Sequence, residues 1–322
     1  MPFRTRAPGQ MMLAGEYSVV TRGGACISVA VGPGVDVVFE PDDGPFRLTS
    51  EAVGLENADP SEVPMLAHVL QTIDADVGGL VTINSKLGAG STKPGLGASA
   101  AVTISVIGAV NLALGRPLPT LREVTNLHQI AQGGLGSGYD AATSLVGGTI
   151  VFSNSAAGPE VAQLAWPDGL LARAVSTGVG SSSRELLKRK MNWARLHPRR
   201  NDQHEAQMMR ATRELISAWR AGDLSSILTC LSGCQEALAE MEKDASLGLF
   251  ENRLGELLQC VEEAGAIGRV SGAGGGDSAW VFSDCPDSLN RAIASATKAG
   301  FKPLSLDFPA NGLEHVKERE NA

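Results

Sequence analysis

The sequence predicts an α+β fold in two halves, and three observations support this. A chain of 322 residues is too long for one small core and suits about two domains. Strand-like and helix-like stretches alternate in both halves, which is typical of mixed architectures. A polar stretch interrupted by glycine and proline, residues 154–168, separates the halves. We therefore expect one domain over residues 1–165 and a second over residues 166–322.

In the first half, glycine- and proline-containing turn signals separate the strand-like stretches. Pro8-Gly9 and Gly32-Pro33-Gly34 indicate turns, and the acidic residues 40–62 indicate a surface loop. Strands are expected at residues 3–7, 25–31, 35–39, 80–85 and 149–153. Helices are expected at Pro64–Ala75 and Leu121–Gln132, the second ended by Gly133.

The second half repeats this alternation. Strands are expected at Leu171–Thr177, Ile267–Ser271, Ala279–Phe282 and Leu304–Phe308. Helices are expected near residues 204–221, 224–243, 254–264 and 286–299, because each shows helical spacing or ends at a glycine. The segment Arg184–Arg200 is dense in lysine and arginine, and most of it is expected to be a solvated face.

The composition argues against several classes of function. The net charge is −8 and aromatic residues make up 4% of the chain, which argues against nucleic acid as a partner. The five cysteines form no Cys-x-x-Cys pair, and their odd number fits a reducing cytosol. No apolar run reaches membrane-spanning length, and the start lacks a secretory signal. We therefore expect a cytoplasmic protein without nucleic-acid or membrane partners.

The stretch Lys93–Ala101 is a glycine-rich loop that leads directly into an apolar segment, Ala100–Leu114. Gly115 and Pro117 are typical helix stop signals, so this segment is expected to be a helix. A helix N-terminus offers unpaired N–H groups and the positive end of a dipole, and glycines let a ligand approach the backbone. The loop is therefore either an anion site, most often for phosphate, or a flexible lead-in to a buried helix.

Two further glycine-rich stretches accompany this loop. We call Ala7–Tyr17 the first motif, Lys93–Ala101 the second motif and Val270–Asp277 the third motif. In this order and at these separations they resemble the signature motifs of the GHMP kinases, the family of galactokinase, homoserine kinase, mevalonate kinase and phosphomevalonate kinase. The closer resemblance is to phosphomevalonate kinases, which share Ala14-Gly15-Glu16-Tyr17 and the stretch Gly136–Asp140.

The resemblance implies an N-terminal domain like the second domain of ribosomal protein S5 and a C-terminal ferredoxin-like domain. It implies ATP and Mg²⁺ as cofactors, with the acceptor in the cleft between the domains. Ser99 would bind Mg²⁺, although it could instead cap the helix. The nucleotide would bind along the second motif, at Gly95, Leu96, Gly97, Ala98, Ser99 and Ala100.

The resemblance also implies the catalytic residues. Asp140 matches the catalytic aspartate, although it could instead cap the segment that follows, and Lys93 is a cation that could reach the phosphates or simply be solvated. Glu16 and His128 are expected to be structural. The residues expected to bind the acceptor are Gln10, Ser137, Gly138, Ser182, Arg184, Ser271, Gly272, Ala273 and Gly274.

Two positions depart from the family pattern. Gln10 stands where these kinases usually have a lysine that contacts phosphate and pairs with the aspartate, and glutamine brings no charge. Ala98 replaces the first serine of a usual pair, while Ser99 remains. Losing a charged contact weakens the stabilisation of phosphoryl transfer, so a compensating cation or a changed acceptor is expected.

The leading hypothesis is therefore ATP-dependent phosphorylation of 5-phosphomevalonate to 5-diphosphomevalonate, in the mevalonate route to isoprenoids. One alternative is a related GHMP kinase with another small acceptor, which Gln10 favours. The other is an inactive homologue that senses a metabolite, which the retained Ser99 and Asp140 argue against. The acceptor is a small molecule in each case, and a homodimer is allowed.

Overall fold

The computed structural model describes residues 1–73, 77–88, 94–131, 133–134, 136–155 and 157–317. Its first sheet has the strand order β12-β1-β2-β5-β3-β4, with β6 pairing with both β2 and β7. All pairs are antiparallel except β3 with β5. The strands are β1 (Phe3–Ala14), β2 (Ala25–Asp42), β3 (Phe46–Ser50), β4 (Leu55–Ala58), β5 (Gly78–Ser85), β6 (Thr149–Ser155), β7 (Gly158–Leu164) and β12 (Glu314–His315).

The second sheet is antiparallel and has the order β11-β8-β10-β9. Its strands are β8 (Leu171–Ser176), β9 (Ile267–Val270), β10 (Ser278–Ser283) and β11 (Lys302–Leu304). Successive side chains of a strand point to opposite faces, and β10 shows the result. Ala279 and Val281 belong to one buried cluster, whereas Trp280 and Phe282 belong to another.

The helices cover both sheets. They are α1 (Pro64–Thr72), α2 (Ala98–Ala113), α3 (Leu121–Ala131), α4 (Tyr139–Val146), α5 (Ser183–Leu196), α6 (Pro198–Ala221), α7 (Leu224–Ala245), α8 (Leu254–Glu263) and α9 (Pro286–Lys298). Helix α2 is buried along most of its length against the strands of the first sheet, which explains why its sequence carries no charge. Among the described residues, no helix combines the length and apolar character needed to cross a bilayer.

Two turns expected near the start of the chain are wrong. Strand β1 continues through Pro8-Gly9, and β2 continues through Gly32-Pro33-Gly34. The register between the two strands shifts between Ala7 and Gly9, so these stretches form an irregular, bulge-like step in the pairing. Gly34 is needed there because a Cβ would lie 2.2 Å from the carbonyl oxygen of Ala7. Glycine and proline mark a bulge here instead of a chain reversal.

The stretches expected to be loops also contain strands. Residues 40–62 include β3 and β4, and residues 154–168 include β7. The chain end returns to the first sheet, since Thr5 pairs with His315, and isolated bridges join Gly32 to Asp307 and Gly147 to Asn311. Residues 307–315 therefore lie against the first half of the chain, and the expected domain boundary near residue 165 stays a prediction.

Candidate active site

The second motif is held in place by both sheets. The N–H of Gln10, on β1, donates to the carbonyl oxygen of Leu96 at 3.0 Å. The hydroxyl of Ser278, on β10, donates to the carbonyl oxygen of Pro94 at 2.8 Å. These two contacts fix the loop immediately before α2, so its backbone is preorganised for a ligand. Lys93 lies outside the described residues, and its assignment stays a prediction.

The start of α2 is open to an anion. The helix begins at Ala98 with Gly97 as the N-cap residue, in the left-handed region at φ 69°, and no side chain caps it among the described residues. Its first turn contains no acidic residue. The first N–H groups of a helix have no intrahelical acceptor, so those of α2 remain available to phosphate oxygens.

Ser99 is not a helix cap, so that alternative is wrong. The residue is exposed in the first turn of α2, and its hydroxyl lies 3.1 Å from the sulfur of Met65. A hydroxyl that donates weakly to sulfur keeps its lone pairs for a cation. Magnesium usually binds one or two protein oxygens together with substrate phosphates and water, and an exposed hydroxyl beside an uncapped helix start fits that requirement.

The third motif closes over the second. Asp277 is anchored from two sides: its carboxylate accepts from the N–H and the hydroxyl of Ser181 at 3.1 and 3.0 Å, and its own N–H donates to Val179 at 2.7 Å. A Cβ on Gly95 would lie 2.7 Å from the Cβ of Asp277. Gly95 therefore allows the two motifs to touch.

This contact gives a first prediction. We expect Gly95→Ala to lower kcat/KM for ATP by about 10- to 100-fold, because displacing the loop misplaces the phosphates. Gly115→Ala is the matched control, since Gly115 has the same φ of 68° but no atom within 4 Å of its Cβ position. Left-handed strain alone costs about 1–2 kcal/mol, so thermal melting should show about that loss for Gly115→Ala and at least as much for Gly95→Ala. Equal kcat/KM values for the two variants would contradict the role of the contact.

Asp140 lies in the first turn of α4 and is paired with a buried histidine from α3. Its Oδ1 lies 3.1 Å from Nδ1 of His128, whose side chain is 1% exposed, against 22% for Asp140. Burial raises the pKa of Asp140, but the charge and hydrogen bond of His128 and the N–H of Ala141 outweigh it, so the pKa is lowered. Burial lowers the pKa of His128, but the charge and hydrogen bond of Asp140 outweigh burial, so the pKa of His128 is raised. The pair is stabilised as carboxylate and imidazolium.

A cavity of about 140 Å³ adjoins Asp140, between the first and third motifs. The hydroxyl of Tyr17 donates to the carbonyl oxygen of Ala273 at 2.6 Å, so the two motifs meet at its wall. We call this space the acceptor cavity. Its lining residues are Met12, Glu16, Tyr17, Val19, Val20, Gly136, Ser137, Tyr139, Asp140, Ser183, Leu187, Gly272 and Ala273.

Six of the nine residues expected to bind the acceptor do not line this cavity. Gln10, on β1, is 5% exposed and lies beneath the second motif, where its Nε2 is 2.9 Å from the Cβ position of Gly97. Arg184 is exposed and lies against the turn at Gly133, its Nη2 3.3 Å from the Cβ position of that glycine. Ser271 is half-buried directly before Gly272.

Two more of the six, Ser182 and Gly274, make other contacts. Ser182 is the N-cap of α5, its side chain accepting from the N–H of Glu185, and it lines a separate cavity of about 400 Å³. The carbonyl oxygen of Gly274 accepts from the hydroxyl of Ser181 at 2.8 Å. Gly138, the sixth, is the N-cap of α4. By contrast, Ser137, Gly272 and Ala273 line the acceptor cavity.

Two charged residues assigned to structural roles lie in this site. His128 contacts Asp140, as described, and Glu16 lines the acceptor cavity while ion-paired with Arg269 of β9 at 2.7 Å. Local pattern shows only that His128 shares the apolar face of α3 with Val124. Its partner lies across a glycine-rich turn, so spacing alone does not reveal the contact.

Comparison with known proteins shows which family this chain resembles. Residues 65–148 match the model of the GHMP kinases N terminal domain. The chain is 28% identical to a phosphomevalonate kinase of Streptomyces sp. strain CL190, over 95% of this chain and 97% of that protein. It is 26% identical to a mevalonate kinase of Thermococcus gammatolerans, over 95% of this chain and 96% of that protein. The resemblance seen in the three motifs is confirmed.

The fold is also that of solved GHMP kinases. The structure of Streptococcus pneumoniae phosphomevalonate kinase in complex with phosphomevalonate and AMPPNP superposes with a TM-score of 0.79, at 15% identity, covering 98% of this chain and all of that one. The expected α+β GHMP kinase fold is therefore confirmed.

Proposed function

We propose that this chain, which has the GHMP kinase fold and matches the family model over residues 65–148, transfers the terminal phosphoryl group of ATP to the phosphate of 5-phosphomevalonate. The match to a phosphomevalonate kinase over nearly the whole chain supports this acceptor. The uncapped start of α2 supports the nucleotide, and the acceptor cavity beside Asp140 supports a small second substrate.

The observation that carries the phosphate acceptor is the pairing of Asp140 with His128. A carboxylate whose pKa is lowered is a weak base, poorly matched to removing a proton from an alcohol. A phosphate monoester has a second pKa of about 6, so it gives up its last proton readily. When His128 is protonated, its charge also balances that of the carboxylate, which would otherwise repel an anionic acceptor.

In the proposed reaction, an oxygen of the acceptor phosphate attacks the γ-phosphorus of ATP. A new P–O bond forms as the bond to the β-phosphate oxygen breaks, and ADP leaves with that electron pair. Where the acceptor phosphate still carries a proton, Asp140 aligns it by accepting a hydrogen bond from that P–OH, and the proton is lost to solvent. The N–H groups of α2 face the developing charge. Magnesium, held by Ser99 and the nucleotide phosphates, would neutralise part of that charge.

Turnover assays test this proposal. The purified chain is incubated with Mg-ATP and, in turn, mevalonate, 5-phosphomevalonate, diphosphomevalonate, and a few sugars and amino alcohols, and ADP release and product mass are followed. The expected result is ADP and diphosphate product from 5-phosphomevalonate alone. Turnover of another acceptor would contradict the proposed substrate, and nucleotide binding without any turnover would favour a sensor. The homodimer and the cytoplasmic location stay predictions.

The paired charges predict a pH dependence. His128 has a raised pKa, so its charge is complete below its ordinary value near 6.5 and is lost as pH rises through the raised value. Asp140 has a lowered pKa, so it stays ionised until pH falls well below about 4. We expect kcat/KM to fall on the alkaline side as His128 loses its proton, and on the acid side as the acceptor is protonated.

The neighbouring ionisable groups do not supply this alkaline limb. Burial raises the pKa of Tyr139 and that of Cys26 well above their ordinary values, and Glu16 is paired with Arg269. The alkaline limb should therefore disappear in His128→Asn, measured as kcat/KM against pH. His204→Asn is the control, because His204 forms a similar pair with Asp244 at 3.0 Å on the surface. An unchanged limb in His128→Asn would exclude His128 as its source.

A further inference from the structure

The hydroxyl of Tyr139 is a polar group in the acceptor cavity that the proposed mechanism does not use. Tyr139 opens α4 directly before Asp140 and lines that cavity. Its oxygen lies 3.8 Å from the Cβ position of Gly272 in the third motif. The hydroxyl thus faces the third motif from the helix that carries the candidate catalytic carboxylate.

Gln10, on β1, lies close to this hydroxyl. Burial and the nearby charge of Asp140 raise the pKa of Tyr139, and a hydrogen bond with the Gln10 side chain only partly opposes them. The phenol therefore keeps its proton at neutral pH. Gln10 carries both donor and acceptor groups close to the phenol, so its amide can orient the O–H of Tyr139 toward another acceptor. The Gln10 Oε1 is buried and, within the described part of the chain, has no hydrogen-bond partner.

We propose that the Tyr139 hydroxyl donates a hydrogen bond to the phosphate group of the acceptor, and that Gln10 is its positioning residue. This rests on the proposed function for the identity of the acceptor. A hydrogen bond from a neutral donor to an anion is stronger than one between two neutral groups. It explains how a chain with glutamine at position 10 binds an anionic acceptor beside Asp140. Tyr139 would then favour a phosphate-bearing acceptor over one without phosphate.

Steady-state kinetics give the first test. Tyr139→Phe should lower kcat/KM for 5-phosphomevalonate by roughly 10- to 100-fold, the loss expected for a hydrogen bond to a charged group, and leave KM for ATP unchanged. Gln10→Met should give a smaller fall, and the double variant should be no worse than Tyr139→Phe, because Gln10 acts through Tyr139. Circular dichroism melting checks that each variant folds. An unchanged kcat/KM in folded Tyr139→Phe overturns the proposal. Strictly additive losses in the double variant overturn the positioning role of Gln10.

A spectroscopic test does not need turnover. The chain has two tyrosines, so labelling their Cζ carbons with ¹³C gives two signals, which Tyr139→Phe assigns. With Mg-AMPPNP already bound, inorganic phosphate is titrated in. The Tyr139 signal should move, while that of Tyr17, whose hydroxyl is bonded to Ala273, should move less. A Tyr139 signal that stays fixed at the highest soluble phosphate concentration overturns the inference. Movement without turnover of 5-phosphomevalonate would reject only the proposed function.

Discussion

Asp140→Asn is expected to lower kcat by about 100-fold, the loss that follows when the acceptor is no longer aligned with the γ-phosphorus. The amide carries no charge, so it holds neither the acceptor P–OH nor His128 as the carboxylate does. The charge that raises the pKa of His128 is also lost, so the pair no longer exists as two ions. Binding of Mg-AMPPNP should change little, because α2 and the second motif are untouched.

Asp244→Asn is the matched control for this variant. Asp244 also accepts from a histidine, His204, at 3.0 Å, but its side chain is 41% exposed and far from the motifs in sequence. Its removal should leave kcat within about twofold, since exposed pairs contribute little. ADP release at saturating substrates measures both variants, and thermal melting checks their folding. Full activity of Asp140→Asn would show that the carboxylate has no role in the reaction.

Much of the fold follows from local pattern, and the exceptions have a physical reason. Helix α2 is predicted almost to its ends, because an uncharged segment bounded by glycine and proline leaves few alternatives. Strand β3 is missed because its pairing with β5 is parallel and joins residues far apart in sequence. The acidic residues around it indicate only exposure. The Gly32-Pro33-Gly34 stretch misleads because a bulge and a turn use the same residues.

The candidate site also has features that local pattern predicts and features that it does not. Glycine-rich motifs are visible in the sequence because they reflect local backbone requirements, as Gly97 shows with its left-handed conformation at the start of α2. Side-chain pairs such as His128 with Asp140 depend on how α3 and α4 pack, and no spacing rule gives that contact. The resemblance to GHMP kinases predicts Asp140. It predicts no partner for this carboxylate, because position 10 carries glutamine instead of the usual lysine.

The ion pair between Glu16 and Arg269 connects the first motif to the second sheet. Arg269 Nη2 donates to both carboxylate oxygens of Glu16 at 2.8 and 2.7 Å, and its Nε lies 3.3 Å from the carbonyl oxygen of Leu13. The side chains are 0% and 4% exposed. Water cannot replace either partner at this depth, so the loss of one leaves a buried charge without compensation.

Arg269→Met is therefore expected to lower the free energy of unfolding by about 3–5 kcal/mol, measured by urea denaturation. The double variant Arg269→Met/Glu16→Gln should recover part of this loss, because it removes the stranded carboxylate as well. Arg6→Met is the exposed control: its partner is Asp36 at 2.6 Å, its side chain is 51% exposed, and its loss should cost at most about 1 kcal/mol. Because Tyr17 follows Glu16 and bonds to Ala273, Arg269→Met should also weaken acceptor binding, which Arg6→Met should not do. Equal destabilisation of the single and double variants would show that the packing of Arg269 matters here, and not its charge.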